Sequence, residues 1–364
     1  MTAFQASLAV KNIKNPKFAY LSNFTLPCSQ AQAGLLSGQG RQDHMDLGQR
    51  IAARYPNLIT NHSRISWQAT NVSRVLASEH AFIAGMLKGA DTQKALHVML
   101  NAVVPRPLDA DLRPFDSCTA YLNASAAQKN QTNQPDDTFN AAKYPAIASR
   151  IAQLIGVDAL TVSQVKTLFD LCSFENTVQG VQAGFCSLFT AEDYRTADFS
   201  SDLRFNAVKG YALPVNNQLA CSLLTTWDHN VQDMLENPRG AVTASFKFAH
   251  EETIAPIVTS LGLFQEQAGA PVLSPNMSVG DAAALRGAGE EHAVQVLVGE
   301  SPQTVPGCPG VICPLSSFRA ALAGKLGLCG NAVPTVGGAA RFASTAVIPL
   351  GNVVAALNSA ADNN

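Results

Sequence analysis

The sequence lacks several features that would place the protein in a particular class. No run in the 364 residues approaches the ~20 consecutive apolar residues that span a bilayer. Basic residues are not in excess, because 25 Lys and Arg stand against 27 Asp and Glu, a formal net charge of −2. This balance gives no bulk attraction to nucleic acid or to an anionic membrane. The composition, 47% hydrophobic and 14% charged, predicts a soluble globular protein with one large domain or two smaller ones.

The eight cysteines form no C-x-x-C pair of the kind that holds zinc. Their even number and wide spacing favour disulfide bonds formed in an oxidising compartment. Six N-x-S/T sequons accompany them and support a secreted or endomembrane-lumenal protein, although such asparagines are also ordinary polar loop residues. The sequons begin at Asn23, Asn61, Asn71, Asn123, Asn130 and Asn276.

Two predicted strand–helix pairs lie on either side of the middle of the chain. A strand is predicted at 65–70 with a helix at 73–87, and a second strand at 242–249 with a helix at 251–263. A further helix is predicted at 38–56 and a strand at 294–298. Strands followed by helices predict an α/β layered core.

The middle of the chain has a different pattern. Helical periodicity dominates from 96 to 235, for example at 142–155 and 162–171, and the polar stretch 128–137 interrupts it. This region is predicted to be a mainly helical insertion or cap. The α/β core would then be discontinuous, formed by 1–95 and 236–364.

The most informative polar cluster is Phe-Ala-His-Glu-Glu-Thr, which contains His250, Glu251 and Glu252. It follows a predicted strand and opens a helix, at the sheet edge where open α/β folds bind ligands. Helix N-terminal N–H groups favour an anion such as phosphate, and a bound phosphate would raise the pKa of a neighbouring acid so that it donates a proton. Arg74 begins the other helix after a strand and would reach the same edge. The alternative is that these residues have only structural roles, as a helix-capping acid, a buried histidine and a solvated arginine.

Six sequence blocks in order resemble the histidine acid phosphatase family, and most closely its multiple inositol polyphosphate phosphatase and phytase branch. The resemblance extends from about Leu35 to Cys329. It implies a phosphoglycerate-mutase-like three-layer α/β domain with a mainly helical insertion. The blocks are ATNVSRVLASEHAFIAGML, FDLCSFENTV, AGFCSLFTAEDY, AVKGYALP, FKFAHEETIAPIVTSLGLF and VQVLVGESPQTVPGC.

The resemblance also implies roles for individual residues. Arg74 matches a phosphate-clamping arginine, and His250 matches the second active-site histidine, which binds phosphate. Glu252 matches the proton-donating acid of a His-Ala-Glu motif, but the middle residue here is Glu251, so either glutamate could be the donor. Lys209 matches a position near the pocket mouth, where it would attract polyphosphate or serve only as a structural lysine.

The implied activity is hydrolysis of phosphomonoesters, most readily inositol polyphosphates such as phytate, through a phosphohistidine and without metal or cofactor. The expected partner is therefore a small phosphorylated substrate, with no nucleic acid and no membrane span, and the expected state is a monomer. The implied disulfide pairs are Cys172–Cys186, Cys308–Cys313 and Cys118–Cys329, which leaves Cys28 with Cys221.

The family's nucleophile, the histidine of an Arg-His-Gly-x-Arg-x-Pro motif, is missing from this sequence. A signal peptide is missing as well, and one N-terminal truncation would explain both. A strand of the family between Leu263 and Val294 also has no counterpart in the pattern. The chain is therefore expected to be inactive as given. The alternatives are a secreted general acid phosphatase or 3-phytase whose sequence is truncated here, a non-catalytic phosphate- or inositol-phosphate-binding relative, and a cytosolic mutase-like enzyme, which the cysteines and sequons disfavour.

Overall fold

The structure is a computed structural model of the 364-residue chain. It describes residues 13–22, 24, 29–58, 64–88, 98–100, 109–131, 134–180, 184–265, 286–288 and 291–327. Cys28, Cys329 and the sequons at Asn23, Asn61 and Asn276 lie outside the described residues.

Helices make up most of the described chain, and strands are short. The helices α1 to α11 are Gly38–Arg54, Ser73–Leu87, Pro114–Ser117, Thr119–Lys129, Pro135–Ile155, Val162–Gln179, Ala191–Lys209, Asn216–Leu219, Cys221–Glu236, Glu251–Ser260 and Leu315–Gly327. The strands β1 to β8 are Ile65–Ala69, Val98–Leu100, Ala244–Phe248, Arg286–Ala288, Glu291–Val294, Val296–Val298, Ser301–Gln303 and Cys313–Pro314. Short 3₁₀ helices cover Pro16–Ser22, Gln30–Gln32 and Gly184–Leu188.

Two compact units divide the described chain. The first takes in the described residues up to Gln39 and those of Lys129–Ala207, and the second contains the remainder apart from 272–275, which are not described. No helix among the described residues has the length and apolar character needed to cross a membrane.

A parallel three-stranded sheet of order β2-β1-β3 forms the centre of the second unit. Ile65 to Ala69 pair in register with Ala244 to Phe248. Trp67 of β1 is 1% exposed and stacks on Phe246 of β3 with ring centroids 4.6 Å apart. Parallel strands joined through helices give the predicted α/β core its layered form.

Helices α1 and α2 approach each other closely beside this sheet. A Cβ atom at Gly85 would lie 1.9 Å from the carbonyl oxygen of Met45, and one at Gly48 would lie 2.2 Å from that of Phe82. Only glycine permits backbones at this distance. The close crossing brings Phe82 of α2 against the aromatic rings of β1 and β3.

The strand predicted at 294–298 is two strands. Residue Gln295 separates β5, which pairs with β4 and β8, from β6, which forms a hairpin with β7. Gly299 and Glu300 form the two-residue turn with positive φ angles of 55° and 64°, as tight hairpins require. Between Leu263 and Val294, where one strand of the family was predicted to have no counterpart, the short strand β4 pairs antiparallel with β5.

Helices α5 and α6 and the beginning of α7 form the core of the first unit. Apolar side chains of α5 and α6, including Ile151 and Leu168, are fully buried there together with Phe18. The polar stretch 128–137 is predicted to interrupt the helical pattern, but α5 already begins within it, at Pro135. The physical reason is a capping box, in which Gln134 and Asp137 satisfy each other's backbone N–H groups.

The disulfide bonds agree only in part with the pairing implied by the resemblance. Cys172–Cys186 closes the turn between α6 and α7, and Cys308–Cys313 closes the loop before α11. Cys221 is disulfide-bonded, and its predicted partner Cys28 lies outside the described residues. The Cys118–Cys329 prediction is wrong for Cys118, which is a free thiol. Cys118 follows α3 and packs against the apolar cluster of Tyr121, Leu213 and Leu219.

Candidate phosphate-binding site

His250 lies at the carboxyl end of β3 and caps the beginning of α10. Its backbone is extended, with φ −127° and ψ 167°, and its carbonyl accepts the first helical hydrogen bonds, from Thr253 at 3.0 Å and Ile254 at 3.2 Å. Pairing continues past β1, where the N–H of Thr70 donates to the carbonyl of Phe248 at 3.1 Å. Thr70 and His250 therefore follow the ends of two neighbouring strands and lie at the same edge of the sheet.

Two side chains contact the Nε2 atom of His250. The Oγ1 atom of Thr70 lies 3.1 Å from it, and the Nη1 atom of Arg113 lies 2.5 Å from it. Arg113 is only 5% exposed, and its Nε donates to Asp116 at 2.6 Å. Its guanidinium also lies over the ring of Phe115, 4.8 Å from the centroid. The histidine predicted to bind phosphate is thus held by a buried, charged group.

Lys209, at the end of α7, contacts both glutamates in the first turn of α10. Its Nζ forms ion pairs with Glu251 and, at 3.0 Å, with Glu252. The side chain of Glu252 is 29% exposed and that of Glu251 is 45% exposed. All three of these predicted residues therefore meet at the N-terminus of α10.

The pKa of Glu252 is lowered despite its burial. Desolvation works to raise it, but the charge of Lys209 and its hydrogen bond, with smaller contributions from the backbone N–H and from His250, outweigh that cost. Burial works to lower the pKa of Lys209, yet its hydrogen bonds and charge interactions with Glu251 and Glu252 raise it. The ligand-free pair is therefore ionised, and Glu252 holds no proton to donate until Lys209 is drawn away.

Arg74 is the second residue of α2, four positions after Thr70. Its side chain is exposed, and no described residue offers its guanidinium a hydrogen bond or an ion pair. The structure therefore places Arg74 beside the end of β1 but does not bring it into contact with His250 or Glu252.

A second charged group, the partly buried Lys247, lies three residues before His250. Lys247 of β3 donates to Gln68 of β1, and burial lowers its pKa, against the opposing charges of Asp111 and Asp109. Burial raises the pKa of Asp109, whose Oδ1 accepts the backbone N–H of Leu112 at 2.9 Å. These groups connect the strand ends to the segment that carries Arg113.

Arg113 was missed by the sequence analysis. It lies in Asp-Leu-Arg-Pro-Phe-Asp-Ser, which has no helical or strand periodicity and resembles a solvated loop. A local signal exists: a proline follows the arginine and an aspartate stands three residues beyond it, the arrangement of a helix start with an (i, i+3) ion pair. Burial against a residue 137 positions away is not visible in the sequence.

The chain belongs to the histidine phosphatase superfamily (branch 2), whose family model matches residues 7–281. Within it the chain is of the histidine acid phosphatase type, in the multiple inositol polyphosphate phosphatase and phytase-like branch. It is 24% identical over 241 residues to multiple inositol polyphosphate phosphatase 1 of Gallus gallus, covering 64% of this chain and 52% of the relative. The chain spans about half the length of the curated relatives it matches.

Solved structures share the fold. The phytase from D. castellii gives a TM-score of 0.69 at 17% identity, covering 89% of this chain and 74% of that one. The multiple inositol polyphosphate phosphatase of Bifidobacterium longum, in complex with inositol hexasulfate, gives 0.53 at 16% identity over 80% of each chain. The predicted α/β domain with helical additions is thereby confirmed.

Proposed function

We propose that this chain is a histidine acid phosphatase module that binds phosphomonoesters, and in particular inositol polyphosphates such as phytate. The observation that carries the proposal is the meeting of His250, Glu252 and Lys209 at the N-terminus of α10, beside the strand end that bears Thr70. Helix N–H groups and fixed cations favour a dianionic phosphate at such an edge. The relatives named as inositol polyphosphate phosphatases support the substrate class.

In this proposal His250 and Arg74 bind the phosphate, and Glu252 is the proton donor to the leaving alkoxide. Lys209 and Glu251 line the entrance. A polyphosphate competes for Lys209, which removes the cation that keeps Glu252 ionised, and the phosphate's own charge then raises the pKa of Glu252. The acid would thus become protonated in the complex, where the leaving oxygen needs a proton.

The nucleophile of the two-step reaction is the part that this sequence does not supply. No Arg-His-Gly-x-Arg-x-Pro motif occurs in the 364 residues. We therefore propose that this chain by itself binds phosphate without turning the ester over, since loss of a covalent nucleophile costs several orders of magnitude in rate. The division into a core of 1–95 and 236–364 with an insertion at 96–235 is proposed from the family resemblance alone. The proposed secreted or lumenal location is supported by the disulfide bonds.

Calorimetric titration of the chain with inositol hexakisphosphate, alongside a phosphate-release assay, tests the proposal. We expect saturable binding with no release of phosphate. His250→Ala and Arg74→Ala should each weaken binding by about tenfold or more, because each removes a charge-assisted contact. Matched controls are His229→Ala and Arg195→Ala, which change exposed side chains outside the site. Phosphate release would refute inactivity, and no binding would refute the phosphate site itself.

A further inference from the structure

The contacts of His250 define which ring nitrogen carries its proton. Nη1 of Arg113 lies 2.5 Å from Nε2, and a guanidinium can only donate a hydrogen bond. Nε2 is therefore the acceptor, and the proton of the neutral imidazole is on Nδ1. The hydroxyl of Thr70, 3.1 Å away, is also able to donate to Nε2 and fits the same tautomer.

Arg113 is itself held in place on two sides. Its Nε donates to Asp116 at 2.6 Å, and its guanidinium lies 4.8 Å from the centre of the Phe115 ring. With 5% exposure the side chain has little room to change conformation. A charged, planar donor that is already paired and packed makes its contact with His250 at a small entropic cost.

The unprotonated oxygens of a phosphate only accept hydrogen bonds, so a histidine that binds one of them must present an N–H. With Nε2 occupied by Arg113, that N–H is at Nδ1. An imidazole without this partner is free to place its proton on Nε2 and so lose the donor at Nδ1.

We propose that Arg113 is a positioning residue of the phosphate site, which fixes His250 as the Nδ1–H tautomer so that Nδ1 donates to the bound phosphate. The phosphate contact rests on the proposed function, whereas the tautomer is a property of the ligand-free protein. The two can therefore be tested separately. The arrangement resembles the way a second residue sets the tautomer of a metal-binding histidine.

The experiment uses the full chain labelled with ¹⁵N-histidine, with the His250 signals assigned by their loss in His250→Gln. We expect a pyridine-type Nε2 and a pyrrole-type Nδ1 in the ligand-free protein at a pH where the ring is neutral. Arg113→Met should increase the pyrrole-type character of Nε2. In calorimetric titrations with inorganic phosphate, it should bind at least about tenfold more weakly than the unchanged chain.

Two further variants separate positioning from a general loss of structure. Arg113→Lys keeps a cationic donor and should retain more phosphate binding than Arg113→Met. Arg150→Met removes an arginine that pairs with Asp193 in the first unit and contacts no histidine in the part of the chain that the structure describes, so it should change neither the His250 spectrum nor the affinity.

A pyrrole-type Nε2 in the unchanged chain would overturn the proposal, even if Arg113→Met fails to fold. An unchanged spectrum and unchanged phosphate affinity in a folded Arg113→Met variant would overturn it too. If the unchanged chain shows the Nδ1–H tautomer but does not bind phosphate, the proposed function fails while the tautomer assignment stands.

Discussion

Two arginine–aspartate ion pairs, one in each unit, differ in what else the arginine contacts. In the first unit Arg150 of α5 pairs with Asp193, and Asp193 also accepts hydrogen bonds from the backbone and hydroxyl of Thr190. That ion pair links the beginning of α7 to α5. In the second unit Arg113 pairs with Asp116 and extends one further hydrogen bond, to His250.

The difference lies in what each arginine leaves behind if it is removed. Asp193 keeps its two hydrogen bonds from Thr190, and Arg150 is itself 38% exposed. Arg113 is 5% exposed, and without it both the carboxylate of Asp116 and the imidazole of His250 lose a donor. Removing Arg150 leaves a carboxylate that is 8% exposed but keeps two donors, whereas removing Arg113 takes a charged donor from both the 29% exposed carboxylate of Asp116 and the imidazole of His250. The two regions thus differ in the hydrogen bonds that remain once the arginine is removed.

The largest predicted effect compares these two arginines directly. Arg113→Met should lower the free energy of unfolding by about 3 kcal/mol, because Asp116 and His250 each lose a hydrogen bond from a charged donor. Arg150→Met should lower it by about 1 kcal/mol. Urea denaturation followed by circular dichroism measures both changes. Equal losses for the two variants would contradict the distinction between the two regions.

The second prediction concerns Glu79, a buried carboxyl group in the second unit. It is 5% exposed in α2, has no hydrogen-bond partner among the described residues, and burial raises its pKa to about 7. A carboxyl group with a raised folded-state pKa contributes stability that is fully present below its ordinary value of 4.5 and is lost as the pH rises through about 7.

Glu79→Gln should therefore be more stable than the unchanged chain above pH 7, by up to about 3 kcal/mol, and similar to it at pH 4. Urea denaturation at a series of pH values gives the difference curve. The matched control is Glu192→Gln in the first unit, where the carboxylate is 76% exposed and the substitution should have little effect. A flat difference curve for Glu79→Gln would show that its carboxyl group is not desolvated.

The sequence predicted those parts of the fold that depend on neighbouring residues. The helix at 73–87 and the strand at 65–70 are present almost as predicted, because periodicity and end signals are local. His250 and Glu252 could be proposed as site residues because they stand where a strand changes into a helix. Arg113 and the free thiol of Cys118 could not, since burial of an irregular segment depends on contacts far away in the chain.

The break at Gln295 has a similar cause. Five mostly apolar residues in a row predict one continuous strand, but β5 and β6 pair with different partners. Pairing partners are a tertiary property that no periodicity of a single segment reveals. The same argument applies to Lys209, whose contacts with Glu251 and Glu252 are tertiary and not visible in the sequence, and whose role as an attracting or a structural lysine stays a prediction.

The smallest predicted effect concerns the ion pairs of two lysines. The pKa of Glu252 lies below its ordinary value because of Lys209, so Glu252 contributes stability that is present above 4.5 and is lost as the pH falls through the lower, folded-state value. Lys209→Met should remove this contribution and lower stability at pH 7 by about 1 kcal/mol. The loss should shrink as the pH falls through that lower range.

The corresponding pair in the first unit, Lys14 with Asp158, is exposed on both sides and 3.9 Å apart. Lys14→Met should leave the pH dependence of unfolding unchanged, because solvent screens such a pair.

A proton-uptake measurement by calorimetry in two buffers completes the test. When inositol hexakisphosphate binds, the Lys209→Met variant should take up fewer protons than the unchanged chain. Without Lys209 the pKa of Glu252 is higher, so Glu252 is already closer to its protonated form before the ligand binds. Equal uptake by both proteins would show that Lys209 does not control the proton on Glu252.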